Sequence, residues 1–168
     1  EIQAAISAAN RYNLIAPVME QPQYNMLHRE RVEVEYNELY KHEGLGTTIW
    51  SPLMSGILTG KYNDGFPDET RLGLQELDWL KDKVVVEEKL SVVRKLTAFA
   101  QELGTNMPNL ALAWVLKNPN VSTAITGATK VSQLESNLKA LEVVPLLTDE
   151  VMEKIEGILG NTPEFPKF

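Results

Sequence analysis

The chain has 168 residues, no cysteine and a formal net charge of -7, a length that can bury one real core and a charge that argues against a nucleic-acid surface, which needs concentrated Lys and Arg. Without thiols there is no disulfide or thiolate chemistry, and His28 and His42 stand too far apart to make a metal pair without carboxylates that only the fold could supply. With no signal peptide and no apolar run long enough to span a bilayer, the expectation is a cytoplasmic protein that does not itself insert into a membrane.

Ile2, Ala5, Ile6 and Ala9 fall at helical spacing, so the chain opens in a helix. No capping residue precedes it, an abrupt start that points to further sequence upstream. Pro17 to Gln21 reads as a strand with Pro17 at its first residue, where a missing N–H is tolerated, and with Gln21 at its carboxyl end. Val32, Tyr36, Leu39 and Tyr40 give a second amphipathic helix, which Gly44 ends in a left-handed turn. Thr47 to Trp50 follows as a β-branched strand, and it opens into a connection punctuated by Pro52, Gly56 and Gly60.

From Ser51 to about Val85 the signals are mixed. Asn63-Asp64-Gly65 is a turn, Pro67 a breaker, and Leu74, Leu77 and Leu80 hint at a short helix. A connection this long next to a strand end reads as a binding loop. Leu90, Val93, Leu96, Ala100 and Leu103 then form the stripe of a helix closed by Gly104. Pro108 opens another helix, with Met107 a poor cap before it and Trp114 in the core. Val121 to Thr126 is a third strand, after which Gly127-Ala128-Thr129 leads into a helix with Thr129 as the expected N-cap. Leu134, Leu138 and Leu141 are spaced to face a core, while Lys130, Gln133 and Asn137 share a polar side. Thr148 caps a last helix carrying Val151, Ile155, Ile158 and Leu159, stopped by Gly160.

Strands alternating with helices imply parallel pairing through right-handed crossovers. Three such strands leave two open edges, so the expected fold is an α/β portion of a larger sheet, without an internal linker, and prone to self-association. Ligands of such sheets sit at the carboxyl ends of the strands. There Trp50 offers an aromatic face for a planar ring, and Ser51, the backbone around Pro52 and Leu53, and Lys61 offer groups for a phosphate. The other reading of the same stretch is a core Trp50 and a solvated Lys61. Thr129 and Lys130 at a helix start form a second candidate anion site, because unpaired N–H groups and the helix dipole favour negative charge. As plain surface, Lys130, Gln133 and Asn137 need no function. Ser55 to Tyr62 superficially suggests a Walker A loop, but Ser55 replaces its first glycine and Tyr62 its metal-binding hydroxyl, and no Gly-x-Gly-x-x-Gly fingerprint occurs.

Glu20-Gln21-Pro22-Gln23-Tyr24-Asn25, Trp50-Ser51-Pro52-Leu53 with Gly56 and Gly60-Lys61-Tyr62, Leu112-Ala113-Trp114, and Gly127-Ala128-Thr129 followed by Gln133-Leu134 and Asn137-Leu138 together resemble the carboxyl half of the aldo-keto reductase family. Val32-Glu33-Val34-Glu35, Trp79-Leu80-Lys81-Asp82-Lys83 and Ile158-Leu159-Gly160-Asn161 are similar to the β subunits of voltage-gated potassium channels within it.

The resemblance implies the carboxyl-terminal portion of a (β/α)8 TIM barrel, three parallel strands with their helices, binding NADPH at its carboxyl face. Carried over by position, Trp50 stacks on the nicotinamide and Gln21 contacts its carboxamide region. Ser51, Pro52, Leu53, Ser55 and Lys61 line the pyrophosphate, with Arg71 nearby, and Gly127, Thr129, Lys130, Gln133 and Asn137 hold the adenosine and its 2′-phosphate. Ser136 departs from the family, which carries an acidic residue there for the adenine amino group. The family's proton-donating Tyr, with its Lys and Asp partners, falls on earlier strands that this sequence does not contain, so no catalytic residue is assigned. The implied whole protein is a homo-oligomer that reduces small carbonyl substrates or senses redox state while docked on a potassium channel α subunit at the inner face of the plasma membrane. The alternative is a scaffold or channel-regulatory protein that keeps the reductase fold without turnover.

Overall fold

A computed structural model describes residues 1–65, 67, 70, 76, 79 and 85–166. Arg71 and the expected Leu74, Leu77 and Leu80 helix lie outside the described residues. The elements in chain order are α1 (Ile2–Tyr12), β1 (Met19–Glu20), a π-helical turn (Arg31–Glu35) running into α2 (Asn37–Glu43), β2 (Gly46–Ile49), a kinked 3-10 segment (Met54–Thr59), α3 (Glu87–Glu102), α4 (Met107–Lys117), β3 (Thr123–Ala124), α5 (Val131–Leu138), α6 (Ala140–Val143), a 3-10 turn (Val144–Leu146) and α7 (Asp149–Leu159).

The strands form one open sheet in the order β1-β2-β3. Glu20 pairs with Thr47 and Ile49 with Ala124, both in parallel. Parallel strands joined through helices are the α/β architecture of consecutive units of a (β/α)8 barrel. The outer strands are shorter than the sequence implies: Pro17 to Gln21 contracts to two residues and Val121 to Thr126 likewise. Local composition marks a stretch as extended, but ladder hydrogen bonds exist only where a partner lies opposite. On β2, Thr47 and Ile49 are buried while Gly46 and Thr48 are half-buried, and the buried Thr47 hydroxyl is satisfied by the Asn120 carbonyl at 2.7 Å.

The main core gathers Ile49, Ile57, Leu58 and Tyr62 against Val93 and Leu96 of α3, Leu110 and Trp114 of α4, and Ile155 of α7. Those helical residues are the periodic stripes read from the sequence. A smaller cluster of Ile6, Tyr36, Leu39 and Leu45 seals α1 and α2 together. The stripe on α5 and α6 behaves differently. Leu134, Leu138 and Leu141 are exposed, not buried, because no described element packs over them; they border an apolar groove of about 220 Å³ together with Leu112 and Leu116 of α4. At the opposite edge Ile15, Val18 and Met19 are also exposed.

Two helix starts differ from expectation. The cap of α4 is Asn106, whose side chain accepts from the Asn109 N–H at 2.9 Å, so Met107 is the first helical residue and Pro108 the second. On α5 the N-cap is Lys130, not Thr129. Thr148 caps α7 as expected, accepting from Val151 N at 3.4 Å.

Asn106→Ala removes the oxygen that satisfies an orphan N–H at the head of a fully packed helix. It is expected to cost ~1 kcal/mol, seen as a lower urea midpoint with an unchanged m-value.

Candidate functional site

Because all three strands run the same way, Gln21, Trp50 and the segment leading to Gly127 leave the sheet at its carboxyl edge. The main chain ties them together across that edge. Trp50 N donates to Pro22 O at 3.1 Å, Tyr24 N donates back to Trp50 O at 3.4 Å, and Ile125 N donates to Ile49 O at 2.8 Å. Gln21 is exposed beside this ladder. The indole of Trp50 is 45% exposed, an unusual position for a large ring at the end of a central strand, so it is not core.

The backbone after Trp50 is strained. Ser51, Met54 and Ser55 take positive φ of 54°, 47° and 54°, followed by Gly56 at 96°. A non-glycine residue held in the left-handed region costs ~1–2 kcal/mol through its Cβ, and such residues concentrate at ligand clamps and switch regions. Three within five positions are held here by specific contacts. Ser51 O accepts from Asn25 Nδ2 at 3.0 Å and from Met54 N at 3.0 Å, and Ser51 Oγ accepts from Ser55 N at 3.3 Å. Thr59 Oγ1 donates to Gly56 O at 2.7 Å. Pro52 is buried beneath the turn, while Ser51, Leu53 and Ser55 are half-buried.

Lys61 is exposed but not extended. Its ammonium lies 5.0 Å from the centre of the Tyr62 ring, a cation–π contact, and its chain passes Gly56 so closely that a Cβ there would meet Lys61 Cε at 3.1 Å. The same side chain borders a cleft of about 310 Å³ with Gly60, Thr97, Gln101 and Asn106, between the loop and the α3–α4 corner.

At the third strand end, Gly127, Thr129, Lys130 and Gln133 are exposed and Asn137 is half-buried at the apolar groove. Gln133 turns back on the helix start: its Oε1 accepts from Thr129 N at 2.9 Å, Thr129 Oγ1 at 3.2 Å and Lys130 N at 3.3 Å. The N–H groups expected to meet an anion are thus already met by an amide oxygen in place of a phosphate. The candidate residues fall into two groups, one around Trp50 and the loop, the other around Thr129 and Gln133, joined through β2 and β3.

Behind the first group lies a polar cluster that sequence patterning did not reveal. Arg29, only 8% exposed, donates from Nε and Nη2 to the two oxygens of Glu33 at 2.9 Å each and from Nη1 to Glu156 at 2.7 Å and Asn161 Oδ1 at 3.1 Å. Its guanidinium carbon stands 5.1 Å from the Trp114 ring centre. Burial works against the Arg29 charge, but the hydrogen bonds to Glu33 and Glu156 outweigh it and leave its pKa above the ordinary value. Tyr24 donates to Glu33 at 2.7 Å and accepts from Asn118 at 3.2 Å. Burial first, and the Glu33 carboxylate second, push its pKa far up, so it stays neutral and committed to Glu33. Asn25, fully buried, was quoted within a motif, yet nothing in its spacing showed that it would grip Ser51. Among the described residues no group of His, Asp and Glu is arranged to hold a metal, and no helix is long and apolar enough to cross a membrane.

Comparison with known proteins agrees with this architecture. Residues 1–159 match the family described as Aldo/keto reductase family. An Arabidopsis thaliana protein named "Probable voltage-gated potassium channel subunit beta" is 46% identical over 168 residues, covering 99% of this chain and 51% of the relative. An Oryza sativa subsp. japonica protein of the same name is 47% identical over 165 residues, covering 98% of this chain and 50% of the relative. The chain spans about half the length of the curated relatives it matches.

The strain after Trp50 gives a prediction independent of any ligand. Ser55→Gly is expected to raise stability by ~0.5–1 kcal/mol, the relief of a left-handed Cβ being offset in part by the greater freedom of glycine in the unfolded chain. A lower urea midpoint for this variant would show that the Ser55 side chain supports the loop.

Proposed function

The chain belongs to the aldo/keto reductase family, and from that premise we propose that its carboxyl edge is the NADPH-binding portion of a reductase-like potassium channel β subunit. The observation that carries this reading is the strained loop: three left-handed non-glycine residues hold the chain so that a half-exposed indole stands beside Gln21 at the strand ends. Packing gives no reason to keep that geometry, and a planar ring to be gripped does.

In this reading the Trp50 face covers the nicotinamide and Gln21 hydrogen-bonds its carboxamide. The segment from Ser51 through Pro52, Leu53 and Ser55 to Lys61 follows the pyrophosphate. Gly127 leaves room at the third strand end, and Thr129, Lys130, Gln133 and Asn137 take the adenosine ribose and its phosphate. That last step exchanges the Gln133 oxygen for phosphate oxygens at the head of α5, where N–H groups and Lys130 favour negative charge. When bound, NADPH supplies the hydride for reduction of a small carbonyl substrate. The proton for that reaction does not come from Tyr24, whose hydroxyl is buried on Glu33; we assign it to the Tyr, Lys and Asp of the strand–helix units that complete the barrel. The completed protein acts as a homo-oligomer in the cytoplasm, docked on a voltage-gated channel α subunit, a partner class taken from the names of its relatives.

The test is titration of the chain with NADPH and NADH, followed by tryptophan fluorescence. Saturable quenching by NADPH is expected, most of it lost in Trp50→Phe. Lys130→Ala is expected to weaken NADPH by about tenfold, equivalent to ~1.4 kcal/mol, while leaving NADH nearly unchanged, because only NADPH carries the 2′-phosphate. Absence of saturable binding, alone and after coexpression with the other half of a full-length relative, would remove the cofactor assignment.

A further inference from the structure

The cluster around Arg29 joins two places far apart in sequence. On one side it holds the loop from Pro22 to Arg29, whose Tyr24 N–H and Asn25 side chain bind Trp50 O and Ser51 O. On the other it is held by the end of α7 and the residues just after it. Glu156 takes Arg29 Nη1 at 2.7 Å. Asn161 bridges the gap with both ends of its amide, accepting from Arg29 Nη1 at 3.1 Å and donating to Met26 O at 2.9 Å. Thr162 donates to Glu156 at 2.7 Å and fixes that carboxylate in turn.

We propose that Glu156 and Asn161 are positioning residues for the Trp50 indole, acting through Arg29 and the loop that carries Tyr24 and Asn25. The inference rests on the cofactor reading for its functional meaning and on geometry alone for its physical content. Two features make the route specific. The loop meets Trp50 and Ser51 by three hydrogen bonds, counting Pro22 O with Tyr24 N and Asn25 Nδ2, so displacement of the loop displaces the strained turn. And β1, the only strand on that side, is two residues long, too short to hold the rim without the loop. A guanidinium that loses one of its partners in a buried site shifts to recover one. The end of α7 therefore sets how the indole is presented to a ligand that it does not touch.

The experiment compares the chain with Asn161→Ala and Glu156→Gln, each also made with Trp50→Phe so that subtraction isolates the Trp50 signal from Trp79 and Trp114. Two controls accompany them: Glu153→Gln on the exposed side of α7, and Asn106→Ala, which lowers stability elsewhere. The readouts are the Trp50 emission maximum, its acrylamide quenching, and NADPH affinity. Expected are a shifted emission, a changed quenching constant and NADPH binding weakened about fivefold to tenfold, the scale of one disturbed hydrogen bond to a charged group, with both controls unchanged. If Asn161→Ala does not fold by circular dichroism, Glu156→Gln, which keeps the side-chain shape, decides the matter by the same readouts. Unaltered Trp50 emission and quenching in the folded variants overturn the proposal while the cofactor reading stands. A parent chain that takes up no NADPH removes the cofactor reading, and the acrylamide comparison still decides the positioning claim. Equal changes in Asn106→Ala would mark the effect as general loosening and overturn it.

Discussion

A guanidinium stays charged at any accessible pH, and burying one costs several kcal/mol unless partners replace its water. Arg29 meets that demand with two carboxylates, an amide oxygen and the face of Trp114. Its partners come from its own turn, from α4 and from the end of α7, so satisfying one charge fixes three elements relative to one another. Removing a partner leaves a penalty that the backbone cannot absorb, which makes the arrangement a specifier of geometry more than a source of stability. The rim depends on it because the sheet is thin. With outer strands of two residues, ladder hydrogen bonds alone would leave the segment after β1 free to slide.

Helices were legible where their apolar stripe meets a core. Leu90, Val93, Leu96 and Ala100 recur at helical spacing and are buried on α3, and the same holds for α1 and α7. The stripe of Leu134, Leu138 and Leu141 obeys the same period but is exposed, because periodicity reports that a face is apolar and not what lies against it. Cap positions shifted by one residue for a different reason. Thr129 and Lys130 both present N–H groups to Gln133, so a Thr that matches the cap pattern is bypassed when a Gln four residues on reaches back instead.

Of the site, the parts carried by single residues of special type were readable. Trp50 at a strand end, with Pro52, Gly56 and Gly60 after it, already marked a turn next to an aromatic. What sequence could not supply was the reason the turn holds. Positive φ at Ser51, Met54 and Ser55 leaves no signature, since none of these is a residue that favours it, and its support from Asn25 comes from 26 residues away. The Arg29 to Glu156 pair spans 127 residues. No local pattern encodes such a contact, and a charged residue inside an amphipathic turn reads as surface until coordinates place it indoors.

The two halves of the proposed dinucleotide site differ in how far they are built in advance, and the difference has an energetic meaning. Around Trp50 the backbone strain is already present and held by neighbouring side chains, so a planar ring meets a surface that does not have to rearrange. Around α5 the helix-start N–H groups are occupied by Gln133, and a phosphate gains only the difference between its own charge-assisted bonds and the neutral ones it replaces. Neutral hydrogen bonds at an exposed helix start are worth ~0.5–1.5 kcal/mol each, a modest charge against binding but one that falls on the phosphate end alone. A ligand with a strong anion at that end repays it, and one without does not. Selection between two dinucleotides that share a nicotinamide and differ by one phosphate then arises from the helix that must be opened, while the ring end supplies affinity common to both.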